Sequence, residues 1–202
     1  DPFRNGFRNW VGSNTINYAY QMTIVDHNLS TNLPVTVQKL RVNSDELILV
    51  DPITINDEFF FLGTSLTFSP TNTNSVLNFT QNHPSINSNH FPNLLNLTNN
   101  AIINVPSQVN FGFDRAGPYS NIVNNGLIQS GSLLFKSDYF ENTNSISALA
   151  GSIFVEAATN RLLGGTVAAS QSISFVGDDL VVNNAVLSAQ QLFFDIKQRL
   201  SD

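Results

Sequence analysis

Cysteine is absent from this 202-residue chain. That excludes a disulfide framework, a thiolate metal site and a cysteine nucleophile. It fits a reducing compartment as well as a secreted protein that folds without disulfides. Charge is scarce too: 12% of residues are charged, about half the usual share. The nine lysines and arginines are scattered, the formal net charge is −6 and the pI is near 4.8. Such a surface offers no electrostatic footprint for nucleic acid and no basic run to hold an anionic membrane. No apolar stretch approaches the roughly 20 residues of a membrane span. The opening "DPFRNG" has neither an initiator methionine nor a signal-peptide pattern, so the expectation is a processed form or an excised piece.

Asparagine fills the space left by charge. There are 28 of them, several times average usage, with many serines and threonines. These residues compete with the helical backbone for hydrogen bonds and favour turns, while the abundant Val, Ile and Phe favour strands. So many large apolar residues argue against disorder. The composition points to an all-β protein.

Short β-like pieces recur. "NNAII" at 99–103, "NNGLI" at 124–128 and "NNAVL" at 183–187 pair two asparagines with a small residue and two aliphatics. In register, four C-terminal rows place a first apolar anchor at Leu127, Ile146, Val167 and Val186, and a second at Leu133, Ile153, Ile173 and Leu192. Two residues after the second stand Phe135, Val155, Phe175 and Phe194. One longer step back, "NNAIINVPSQVNFGF" supplies Ile102, Val109 and Phe111, with the extra residues in "DRAGPYSN", whose Gly-Pro chemistry reads as a loop. A period near 20 residues built from β-favouring pieces matches a parallel β-helix. Alternation would send anchors two residues apart into the core, and Phe135, Val155, Phe175 and Phe194 would form one internal column. Lys136 and Glu156 would then be outward neighbours of opposite sign. The asparagine pairs read as corners, because Asn tolerates the left-handed conformation. A helix over "LSAQQLFFDIKQRL" is the rival reading of the last row.

Upstream, "TINYAYQMTIV", "LPVTVQKLRV", "ELILVDPITI" and "EFFFLGTSLTF" are β-like but less regular. Residues 69–93 read as one short strand, "SVLNF", inside loops. The expected organisation is a single β-helix segment over 1–202, with less regular coils and loops over 1–94 and regular coils over 95–202.

The run "FPNLLNLTNNAIINVPSQVNFGFDRAGPYSNIVNNGLIQS", followed by "SDYFENTNSISA", resembles segments of very large repetitive proteins of environmental bacteria. These look like filamentous-haemagglutinin-type β-helix proteins of the cell surface. Tyr119–Ile128 and Tyr139–Ile146 are similar to their "YxNxVNxGxI" and "YFENxGxI" rows. The resemblance implies a secreted, right-handed β-helix and brings no catalytic residues with it.

No motif rises to a catalytic, cofactor or metal site. Gly177-Asp178-Asp179 holds the sharpest acidic pair, but a glycosidase needs two carboxylates in mutual geometry. The positions one coil back, Ala158 and Thr159, supply none, so a turn is the expected role. His83 and His90 flank a polar loop, His27 is distant, and no Asp or Glu lies between 59 and 113, which argues against a metal. Gly164-Gly165 lacks the Lys-Ser/Thr of a phosphate loop and reads as another corner. Asn28, Asn78 and Asn96 begin sequons that a bacterial source would leave idle. Thr64–Thr67 is too isolated for an ice-binding face. Leu134, Phe154, Ser174 and Phe193, outward beside the second anchor, form a mostly apolar strip suited to packing by a loop or another chain.

The resulting expectation is a right-handed parallel β-helix acting as a non-catalytic stalk or adhesive surface, secreted or at the bacterial cell surface. The alternative is a polysaccharide-active β-helix enzyme or carbohydrate-binding module. Expected partners are neighbouring segments of the same polypeptide and surface polysaccharide or host substratum, with no nucleic acid, no membrane span and no cofactor. "QRLSD" closes the repeat without a polar cap, which suggests a scaffold within a longer polypeptide.

Overall fold

A computed structural model describes residues 16–25, 28–31, 35–43, 45–49, 53–69, 76–79, 85–113 and 117–201. Strand follows strand along the chain, and every pairing between them is parallel. The molecule is a β-solenoid with coils about 20 residues apart.

Each coil has three strand segments, or tracks. In the coil of Leu127–Asn142 one long strand runs through all three. In the next coil they are Ser145–Ala148, which stacks on residues 127–130, and the two halves of Ile153–Leu162, which stack on 133–137 and 139–142. Thr166–Ala169 and Ser172–Val182 repeat the arrangement, and Val186–Ser188 and Gln191–Ser201 form the last coil. The helix considered for the last row is therefore a strand. Its apolar residues satisfy either spacing, and stacking on the coil before decides.

The second anchor falls where its spacing places it. Val109, Leu133, Ile153, Ile173 and Leu192 are successive partners, as are Phe111, Phe135, Val155, Phe175 and Phe194. The first anchor is displaced by one residue in three rows. The inward positions are Ile103, Ile128, Ile146, Val167 and Leu187, while Ile102 and Leu127 are half-buried and Val186 is exposed. Two adjacent aliphatics at a corner fit either register, and the corner geometry selects the second.

Two columns of register partners run through the described coils. In the first track the register passes through Ile16, Val35, Ile53, Leu77, Ile103, Ile128, Ile146, Val167 and Leu187. In the third it passes through Leu29, Leu47, Leu66, Leu97, Ile122, Phe140, Asn160, Leu180 and Leu200. The repeat thus extends through the N-terminal half. Burying one Leu, Ile or Phe in such a column contributes roughly 1.5–3 kcal/mol.

The irregular coil is repaired with aromatics. The stretch 69–93 contains Val76–Phe79, as expected, and a second, two-residue strand, Ser85–Ile86. A short 3-10 turn, Ser88–His90, then delivers Phe91 to the core. Its ring lies 5.3 Å from Phe59 and 5.7 Å from Phe111. The excursion after Phe111 is shorter than "DRAGPYSN" implies, because Tyr119–Asn124 is already strand and Tyr119 is buried.

Candidate functional site

The corners carry the asparagines, and they do so in two ways. At three successive corners the first asparagine turns inward. Asn99, Asn124 and Asn142 are register partners in one column and all buried. Asn99 Nδ2 donates to Asn124 Oδ1 at 2.8 Å, and Asn124 Nδ2 donates to Asn142 Oδ1 at 2.7 Å. Each amide also donates two residues ahead: to the Ala101 carbonyl at 3.1 Å, the Gly126 carbonyl at 2.9 Å and the Asn144 carbonyl at 2.8 Å. The column is apolar beyond the ladder, with Phe68 before it and Leu162 and Val182 after.

The second asparagine of each pair faces out. Asn125 Nδ2 donates to Asn100 Oδ1 at 2.9 Å, and Thr143 Oγ1 donates to Asn125 Oδ1 at 2.8 Å. Later corners dispense with the ladder and use one more residue. Five positions separate Leu162 from Val167 and Val182 from Leu187, against four between Asn142 and Ile146. The longer corners enter the left-handed region, at Gly165 (φ 69°) and Asn184 (φ 56°). Left-handed asparagine is therefore the solution at "NNAVL" alone; at "NNAII" and "NNGLI" the side chain does the work.

Outside the core, chemistry gathers on the third track. One outward row runs Asn96, Asn121, Tyr139, Thr159, Asp179 and Arg199; beside it lie Glu141 and Arg161. The Tyr139 hydroxyl donates to Glu141 Oε2, and Arg161 hydrogen-bonds the same phenol. Partial burial, reinforced by the Glu141 hydrogen bond, raises the Tyr139 pKa above the ordinary phenol value. The phenol in turn holds Arg161 further toward its charged form. Asn121 Nδ2 donates to Asn96 Oδ1 at 2.7 Å, so the sequon asparagine Asn96 is already engaged across coils. Asn28 and Asn78 lie at positions whose side chains are not described.

Gly177-Asp178-Asp179 is not a turn. It lies within Ser172–Val182, at an irregularity in the pairing with the last strand. A Cβ on Gly177 would sit 1.9 Å from the Ala157 carbonyl oxygen, so the glycine permits a close approach between coils. Asp178 and Asp179 face the cations of the coil that follows: Lys197 Nζ is 4.0 Å from Asp178 and Arg199 Nε 3.8 Å from Asp179. No carboxylate meets them from the coil before, as the 20-residue register requires. Glu141 lies two coils from Asp179 and two residues further along the track, more than twice the roughly 4.8 Å strand spacing away.

On the second track, Lys136 Nζ and Glu156 Oε1 pair at 2.9 Å as their stacking demands. The neighbouring strip of Leu134, Phe154, Ser174 and Phe193 is in register and partly covered by the chain itself. Phe113, at the start of the excursion, packs edge-on against Phe154 at 5.4 Å, with Lys136 Nζ 5.6 Å from the Phe113 ring centre. Phe193 stays exposed.

Among the described residues no three His, Cys, Asp or Glu come together. His90 is half-buried beside Phe91; burial lowers its pKa and the nearby Glu58 partly offsets this. His27 and His83 lie outside the described residues. No helix in them is long and apolar enough to cross a membrane. The Tyr139–Glu141–Arg161 group was legible in principle, since Arg161 follows Glu141 by the 20-residue period, but nothing in its residue types singled it out. No protein-family model, curated protein or solved structure matches the chain.

Proposed function

We propose that this chain is a non-catalytic structural segment, a stalk or adhesive surface within a secreted or cell-surface bacterial protein. The observation that carries the reading is where the polar groups go. Asparagine amides, hydroxyls and ion pairs bond from one coil to the next at Asn99–Asn124–Asn142, Asn100–Asn125–Thr143, Ser152–Ser172 and Lys136–Glu156. Groups occupied in holding coils together are poorly placed for acid–base work, which needs a protonated acid and a free base converging on one point. The resemblance to haemagglutinin-type repeats supports an extracellular setting.

A carbohydrate-binding role is the second reading, favoured by Tyr139 with Glu141 and Arg161 on an open strand face. A phenol ring flanked by charged donors and acceptors suits a sugar's apolar face and hydroxyl rim. Incubation with a panel of polysaccharides separates the readings. The expected outcome is no release of reducing ends; turnover abolished by Glu141→Gln or Asp179→Asn would overturn the non-catalytic role. Retained polysaccharide binding that Tyr139→Ala removes would establish the second reading. Antibody labelling of intact source cells tests the setting, and confinement to the cytosolic fraction would contradict it.

A further inference from the structure

The corner at Asn125-Gly126 brings together the parts of a reaction that the chain can perform on itself. Asn125 is exposed, while Asn124 and Gly126 on either side of it are buried. Its side-chain amide is held at both ends. Nδ2 donates to Asn100 Oδ1 at 2.9 Å, and Thr143 Oγ1 donates to Asn125 Oδ1 at 2.8 Å. The backbone is pinned as well: the Asn125 N–H donates to the Asn99 carbonyl at 2.7 Å, and Asn144 Nδ2 donates to the Asn125 carbonyl at 3.2 Å.

The Gly126 N–H, by contrast, has no acceptor among the described residues. One corner earlier, the equivalent Ala101 N–H donates to Asn99 Oδ1 at 3.1 Å. The amide ladder accounts for the difference, because Asn124 Oδ1 takes Asn99 Nδ2 instead. Glycine is required here by packing, since a Cβ would stand 2.1 Å from the Ala101 carbonyl oxygen. Its second effect is chemical. Without a Cβ, nothing shields the Gly126 nitrogen from the side-chain carbon of the residue before it.

We propose that Asn125-Gly126 is a self-modification site, at which the Gly126 nitrogen attacks Asn125 Cγ while the Thr143 hydroxyl stabilises the oxygen that becomes negative. The N–Cγ bond forms as the Cγ–Nδ2 bond breaks, and Nδ2 leaves as ammonia with the proton given up by Gly126. Water, the sole co-reactant, opens the resulting cyclic imide, which it reaches because the corner is exposed. Opening at Cγ leaves aspartate. Opening at the Asn125 backbone carbonyl leaves iso-aspartate, whose main chain is longer by a carbon. Thr143 acts as an oxyanion donor does in acyl transfer, its bond to Oδ1 strengthening as charge develops there. The iso-aspartyl product lengthens the corner directly after the Asn124 rung and so loosens the join between coils. The reaction needs no ligand and is independent of the stalk and adhesive roles.

Peptide mapping by mass spectrometry tests this, on the folded chain held in mildly alkaline buffer and on the same chain in urea. Expected in the folded chain is time-dependent conversion of Asn125 to aspartate and iso-aspartate, with Asn100 and Asn184, each followed by alanine, unchanged. Asn5-Gly6, the other Asn-Gly pair of the sequence, lies outside the described residues and is mapped as a separate peptide. Thr143→Val should slow conversion at Asn125 several-fold in the folded chain and leave the rate in urea unaltered; Thr143→Ser should restore it. Fractions rich in iso-aspartate should unfold at a lower urea concentration than fresh chain. An Asn125 that persists in the folded chain, whatever it does in urea, overturns the proposal. So does a Thr143→Val rate equal to or above that of wild type, conversion at Asn100 as fast as at Asn125, or an aged fraction as stable as fresh chain. Should Thr143→Val fail to fold, the fate of Asn125 in the folded wild-type chain decides alone.

Discussion

Asn124 is the middle rung of a buried three-amide ladder, donating to Asn142 and to its own corner while accepting from Asn99. Truncation to alanine takes the acceptor from Asn99 Nδ2 and the donor from Asn142 Oδ1, while the Gly126 carbonyl keeps the Ser145 N–H. Each unsatisfied buried group costs about 1–3 kcal/mol, so Asn124→Ala is expected to lower the unfolding free energy by roughly 2–4 kcal/mol in urea titration. The corner without the ladder makes the opposite demand. Gly165 is left-handed, and a Cβ there would meet the Asn144 carbonyl oxygen at 1.8 Å, so Gly165→Ala should destabilise more than any left-handed penalty alone, which is about 1–2 kcal/mol. At Asn184, φ 56°, glycine should be tolerated and valine should cost about that penalty. Two ionisable groups set pH trends. Tyr139 has a pKa raised above 10.0 in the fold, so its contribution is intact below pH 10 and is lost as pH climbs through the folded value; Tyr139→Phe should flatten that alkaline decline. His90 has a pKa lowered below 6.5, so its contribution is intact above 6.5 and is lost as pH falls through the folded value. His90→Gln should remove that acid-side slope, read from urea midpoints across the pH series.

At the level of the strand, the outward ion pairs matter little for stability. Lys136 and Glu156 are both more than a third exposed or close to it, and such pairs contribute about 0–1 kcal/mol; Lys136→Met is expected to shift the urea midpoint only slightly. The same pair shows what was readable beforehand. A period of 20 residues with alternation is enough to place Lys136 beside Glu156 and Phe135 beneath Val155, because strand stacking makes sequence period and spatial neighbour the same thing. It is not enough to decide between Leu127 and Ile128, where two aliphatics adjoin a corner and one residue of slip changes which faces in. Nor could it reveal that the "NN" corners divide into an amide ladder and a left-handed bend, since that turns on a corner one residue longer. Gly177-Asp178-Asp179 misleads for a related reason. Turn chemistry and a glycine that lets two coils approach look alike in one dimension.

Across the whole molecule, stability should behave as a sum over coils and their interfaces, as in other solenoids. A chain ending at Val182 is therefore expected to stay folded, with Phe175 and Leu180 now at the open face, a lower urea midpoint and a smaller denaturant slope, since less surface is released on unfolding. Loss of all cooperative unfolding would show instead that the last coil is indispensable. The amide ladder has one more consequence at this scale. A stack of near-equivalent coils can be assembled one coil out of step with most apolar contacts preserved, since leucine over isoleucine is much like leucine over phenylalanine. Asn99, Asn124 and Asn142 remove that ambiguity: one coil of slippage would set Asn124 against Phe68 or Leu162 in place of an amide. Three polar rungs thus give an otherwise repetitive interior a counting mark from which every other coil takes its place.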